Sequence, residues 1–180
     1  MLQKNIKKEF NIPFSGLKLG MHLFNFEIDN TFFTSFGYDD FNSAALNLSV
    51  VLNKMSTIIE VDITISGTVN VACDITNEPF DLALDADMRL IVKFGDDFND
   101  EDDEILILPH GSHEMNIAQH VYETAVLAVP QKRVHPGIED GTLESEALDT
   151  LKKLQPKAKD SNTNESDPRW DELKKLLTDK

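Results

Sequence analysis

The sequence predicts an α+β protein: a twisted antiparallel β-meander or partial barrel covered by a few helices, with a polar linker and a short C-terminal helix. Three observations carry this. Strict alternation of apolar and polar residues runs through two long stretches, 61–73 and 80–94. Past residue 115 the hydrophobic period changes from that of a strand to that of a helix. Residues 155–167, QPKAKDSNTNESD, then hold almost no large apolar group.

The strands follow in order of clarity. Val61, Ile63, Ile65, Gly67, Val69, Val71 and Cys73 take the odd positions, with Asp62, Thr64, Ser66, Thr68 and Asn70 between them. Phe80, Leu82, Leu84, Ala86, Met88, Leu90, Val92 and Phe94 take the even positions of the next arm. Such a pair buries one face and wets the other. DITNEP joins the arms with turn-forming Asp, Asn and Pro. Gly67 predicts a bulge or bend in so long a strand. Upstream, Leu46, Leu48, Val50 and Leu52 alternate. Leu17, Leu19, Met21 and Leu23 also alternate, then the register flips to Phe24, Phe26 and Ile28, which predicts a bulge or break near Leu23. KEFNIPF reads as an edge strand, because Pro13 cannot donate to a ladder.

EILILP is a short buried strand stopped by Pro109. NIAQHVYETAVLAVP reads as a helix covering one sheet face, with Asn116 as N-cap and a stripe of Ile117, Val121, Thr124, Ala125 and Ala128. Pro130 ends it, since the residue before a proline is pushed out of the helical region. TLESEALDTLKKL gives a second, more polar helix. Residues 1–154 are therefore expected to form a single β-rich domain, 155–167 a flexible linker and 168–180 an amphipathic helix. In that helix Asp167 caps, Pro168 starts, and Trp170, Leu173 and Leu177 share a face. A helix so short is marginal alone in water, so it docks on its own domain or on a partner.

Charge bounds the partners. There are 32 acids against 17 bases, a formal net of −15. At long range such a protein repels phosphate backbones and attracts basic partners. Between Asp74 and Glu104, twelve acids face only Arg89 and Lys93, a net of −10. Asp100, Glu101, Asp102 and Asp103, followed directly by Glu104, are its densest run. That segment reads either as a solvated loop that aids solubility or as a landing site for a cationic protein. The single cysteine excludes an internal disulfide and fits a reducing compartment. MLQKNIKKEFNIPF has no apolar run behind its basic residues, so no signal peptide is expected. No stretch approaches the ~20 apolar residues of a membrane span. The expected location is the cytoplasm, without membrane contact.

Few residues offer chemistry. Cys73 falls in register with the buried face and reads as packing; Thr76, three residues on, is no normal zinc ligand and no resolving thiol. HGSHE places His110, His113 and Glu114 close in sequence, as a divalent ion or acid–base chemistry needs, yet at a strand-to-helix turn where polar residues are ordinary. His120, beside the helix's apolar stripe, and His22, within a strand, read as structural. Lys132, Arg133 and His135 form the one compact basic patch of the body, read either as a loop favouring the helix C-terminus or as a phosphate contact. There is no Gly-rich phosphate loop, nucleophile elbow or basic–aromatic stripe. We expect no catalytic residue, no metal, no cofactor and no small-molecule substrate.

GTVNVACDITNEPFDL, NIAQHVYETAVLAVPQKRVHP and DPRWDELKKLL together resemble the YceD family, whose bacterial members are called large ribosomal RNA subunit accumulation proteins. The likeness runs from about Ser66 to the end, and the closing segment is similar to that of Bacteroidetes-like members. Members commonly carry C-x-x-C at the hairpin tip; here Cys73 stands at the first position and Thr76 at the second, so a metal or redox role does not carry over. The resemblance implies a non-enzymatic role in accumulation or processing of large-subunit ribosomal RNA. The expected partner is a basic ribosomal protein or a pre-large-subunit particle, with RNA contact indirect. Two other hypotheses stand beside it. One is a metal-dependent hydrolase or nuclease using His110, His113, Glu114 and His135. The other is a general adaptor whose C-terminal helix, with Trp170, recruits a partner.

Overall fold

The computed structural model describes residue 6 and residues 8–154. The chain divides into two compact units, Met1–Glu144 and Ser145–Lys180. The expected linker over 155–167 and the expected helix over 168–180, with Trp170, lie outside the described residues.

In the first unit, strands β1 (Asn11–Pro13), β2 (Gly20–Asp29), β3 (Ser43–Lys54), β4 (Ile59–Ala72), β5 (Pro79–Gly95), β6 (Asn99–Asp102), β7 (Ile105–Pro109) and β8 (Glu114–Asn116) form two sheets. Helix α1 (Asn30–Ser35) lies between β2 and β3; α2 (Ala118–Leu127) and the single turn α3 (Pro136–Glu139) follow β8. The larger sheet has the order β2-β3-β4-β5-β7-β6. Its first four strands are the expected antiparallel meander. The sheet stays open: β2 and β6 end it and do not pair with each other, so no barrel closes. β7 runs parallel to β5 because the chain first descends as β6 at the outside and then returns between the two.

Alternation sets which face is covered. Val61, Ile63, Ile65, Leu90 and Val92 are wholly buried on the inner face. The β1–β8 ribbon lies over that face, with Phe10 against Phe26 at 5.3 Å and Phe14 against Phe94 at 5.7 Å between ring centres. The expected edge strand around Pro13 is thus a separate two-stranded ribbon. Across the sheet Phe10, Ile12 and Phe14 are all buried, which favours this position. Helix α1 had no expectation in the sequence. Asp29 caps it, accepting from the Thr31 N–H at 2.9 Å, and it buries Phe32 and Phe33. A stack of Phe36 on Tyr122, 4.4 Å between centres, ties α1 to α2. Helix α2 covers the sheet as expected, burying Ala118, Val121 and Ala125. Its backbone cap is Ile117, while the Asn116 side-chain oxygen accepts from the Ala118 N–H at 3.1 Å. In the second unit, α4 (Glu146–Leu154) has acids in its first turn and Lys152 and Lys153 in its last, as the helix dipole favours.

Two local expectations are corrected. No bulge occurs near Leu23: β2 pairs with β3 without a shift from Gly20↔Lys54 to Asp29↔Ala45. The odd residues of this outermost strand face away from the core, leaving Met21 at 77 % and Leu23 at 63 % exposed. Nor does Gly67 insert a residue; Leu46↔Gly67 and Gly67↔Leu84 stay in register. Instead the glycine takes φ +150° and lets β3 approach, so that an added Cβ would lie 2.3 Å from the Ala45 carbonyl oxygen. Gly67→Ala should therefore cost about 2–3 kcal/mol of stability, from overpacking plus a backbone angle that alanine resists. Denaturant unfolding measures this; a loss below about 0.5 kcal/mol would mean that the close approach is not a constraint.

Candidate functional site

The densest acidic run lies on β6 and its turn. Asp100, Glu101, Asp102 and Asp103 are all exposed. Among the described residues β6 is the last strand of the sheet and is bonded only to β7, so its other edge is open. The turn is shaped locally: the Asn99 side chain accepts from the Glu101 N–H and that of Asp102 accepts from the Glu104 N–H, each at 2.9 Å. A short strand bearing carboxylates is also how a sheet edge avoids aggregation.

At the far end of the β4–β5 hairpin the tip is pinned to the loop after α2. Cys73 N–H donates to the Glu78 carbonyl at 2.9 Å, and Asn77 closes the turn with φ 61°. The loop bearing the basic patch lies against this tip. Asp74 N–H donates to the Arg133 carbonyl at 2.8 Å, and Arg133 N–H donates back to the Asp74 carboxylate at 2.6 Å. The guanidinium meets the same carboxylate at 3.4 Å. Being part-exposed, that ion pair contributes at most about 1 kcal/mol; the paired backbone bonds do the positioning. His135 accepts from the Gly137 N–H at 2.9 Å through Nδ1, capping α3, and its ring lies 5.4 Å from that of Phe80. Of the three basic residues expected to act together, only Lys132 stays exposed and free of this framework. Arg133 and His135 brace the hairpin tip.

Cys73 answers to the same framework. It is 2 % exposed, in the register that the alternation expects. Burial raises its thiol pKa, but the Thr76 hydroxyl and the backbone N–H groups of His135, Thr76 and Ile75 outweigh this and bring it down to about 7. Thr76, at the position of a second thiol in C-x-x-C, is thus a donor to the first. Sequence spacing offered the Cys–Thr pair; it could not offer the N–H of His135, which reaches the sulfur at 3.4 Å from sixty-two residues away.

His110, His113 and Glu114 are exposed, and the contacts around them are structural. His110 N–H donates to the Gly95 carbonyl, the His113 carbonyl accepts from Phe14, and Glu114 accepts from the Asn11 amide at 2.9 Å. Among the described residues, no group of three or more His, Cys, Asp or Glu is placed to hold a metal ion. His120 is 8 % exposed; burial pushes its imidazole below the usual range against the pull of Glu123, Asp100 and Asp103. Among the described residues, no helix is long and apolar enough to cross a membrane.

The described residues thus form an open α+β sheet that carries a run of exposed carboxylates on its last strand and a hairpin tip braced by Asp74 and Arg133. Residues 61–177 match the family model described as large ribosomal RNA subunit accumulation protein YceD, and the chain belongs to that family. This ties it to ribosome biogenesis; the family description names accumulation of ribosomal RNA and no reaction. No curated protein and no solved structure matches the chain.

The sulfur environment gives a direct test. A folded thiol below its ordinary pKa contributes stability at alkaline pH that is lost as pH falls through about 7. Thiolate absorbance, which reports this one cysteine alone, should titrate with a midpoint near 7 and move upward in Thr76→Val. An unaltered protein titrating in the ordinary cysteine range would contradict the donor set.

Proposed function

We propose that this protein is a non-enzymatic, cytoplasmic assembly factor that supports large-subunit ribosomal RNA accumulation by holding a basic ribosomal protein or a pre-large-subunit particle. The supporting observation is the exposed carboxylate run of Asp100, Glu101, Asp102 and Asp103 on the outermost strand, within a segment of net charge −10. Such a surface speeds encounter with a cationic protein and discourages free RNA. The one compact basic patch supports the same reading, because Arg133 is matched by Asp74 and cannot offset the field. Contact with ribosomal RNA is then indirect or limited to Lys132 at the exposed edge. Trp170 lies outside the described residues; the helix expected over 168–180 and the linker expected over 155–167 would let it add an anchor on the partner.

The test is a set of binding curves with purified large-subunit proteins at increasing salt. Affinity should fall as salt screens the carboxylates. The variant carrying Asp100→Asn, Glu101→Gln, Asp102→Asn and Asp103→Asn should bind at least about tenfold more weakly at low salt, with an unchanged circular dichroism spectrum. Equal recovery of naked ribosomal RNA in the absence of ribosomal proteins would sink the proposal.

A further inference from the structure

β5 has 17 residues, yet it pairs with β7 only from Ile91 to Gly95. Before Ile91 it is bonded on one side, to β4. Among the described residues, no other backbone hydrogen bond reaches residues 80–90. Glu104 marks the end of this open stretch, its carbonyl accepting from the Ile91 N–H at 2.8 Å. An unpaired strand edge in mid-sheet is a template for another chain.

The open edge lines a groove of about 870 Å³ whose opposite wall is the last part of α2. The lining divides by strand face. Ala86 and Met88 point inward, where Val126 and Leu127 of α2 complete an apolar wall; Leu127 is 82 % exposed, outside the helix's core stripe. Asp85 and Asp87 alternate with them on the outer face, and Asp103, Glu104 and Glu123 close the rim. The one cation in the lining, Arg89, already holds Asp62 at 2.9 Å. A hollow lined by Asp100, Asp102, Asp103, Glu123 and the buried His120 also includes two rim residues of the groove. Among the described residues, Nδ1 of His120 has no hydrogen-bond partner, although buried polar groups nearly always have one.

We propose that the free edge of β5, over residues 82–90, takes up an extended segment of a basic protein in which lysine or arginine alternates with apolar residues, added as a further strand. The inference rests on the partner class proposed above and specifies how it is held. Period-two geometry presents successive side chains of an added strand to opposite faces. One set then packs on Met88 and Leu127, and the other reaches Asp85 and Asp87. Charge selects the occupant: a second copy, also at −15, and a phosphate backbone are both repelled.

The test uses the full chain and fluorescence anisotropy with three labelled peptides. One alternates lysine and valine, one holds the same residues in two blocks, and one is the alternating peptide N-methylated at every second residue. The alternating peptide should bind about tenfold more tightly than the block peptide, and N-methylation should abolish binding. Leu127→Ser, at an exposed position, and the Asp85→Asn/Asp87→Asn double variant should each weaken the alternating peptide about tenfold. Equal binding of the alternating and block peptides would reduce the effect to bulk charge and overturn the proposal, as would displacement by an RNA oligonucleotide or self-association through the same edge. If the double variant loses the peptide but still captures basic ribosomal proteins, the groove is overturned and the partner class stands. If the peptides behave as expected and no ribosomal protein is captured, the groove stands and the partner class falls.

Discussion

From Ile59↔Val92 to Ala72↔Pro79 the β4–β5 ladder runs without a shift, and the rest of the body is placed by it. Its inward residues include Val61, Ile63, Ile65, Leu90 and Val92, all wholly buried. Each contributes about 1.5–3 kcal/mol by leaving water. A slip of one residue would turn that set toward solvent and bring Asp62, Asp85 and Asp87 into the core. The carboxylate face is therefore the other side of the core. Whatever fixes the apolar register also fixes where the charge stands.

The ladder's two ends have different roles. At the tip, Asp74 and Cys73 hold the loop that follows α2, joining residues fifty-nine and sixty-two apart in sequence. This closes the unit and uses the guanidinium of Arg133. At the other end β7 slots in beside the last residues of β5, and β6 carries its acids to the outside. Between them β5 is left with one open edge. Arg133 is matched at the braced end and Arg89 is matched by Asp62 beside the groove, while among the described residues Asp85, Asp87 and the acids of β6 have no ion-pair partner.

Much of this was legible in the sequence. The alternation in β3, β4 and β5 gave the strands, their inward sets and the wet face, because period two is a purely local property. Helix α2 was legible from its stripe and from Pro130. The β1–β8 ribbon was not, since two three-residue strands more than one hundred positions apart leave no local pattern. Leu19, Met21 and Leu23 misled because alternation reports a strand but not which face meets the core. At an outermost strand the apolar set faced solvent. The role of Arg133 was hidden for the same reason as the donors to Cys73: each depends on a loop folded against the hairpin tip. Asp85, Asp87 and Leu127 could have been singled out, as outer-face acids and as an apolar residue off the helix stripe. Only the topology, with β7 pairing so little of β5, brings them to one groove.

On the proposed function, these carboxylates meet cationic protein in the cell. Zero-length coupling of carboxylates to amines, applied to low-salt lysate and read by mass spectrometry, tests it most directly. Links are expected from Asp85, Asp87 and the 100–104 segment to lysines of large-subunit ribosomal proteins. Links confined to other surfaces of this chain, or ultraviolet crosslinks placing RNA on those carboxylates instead, would contradict it.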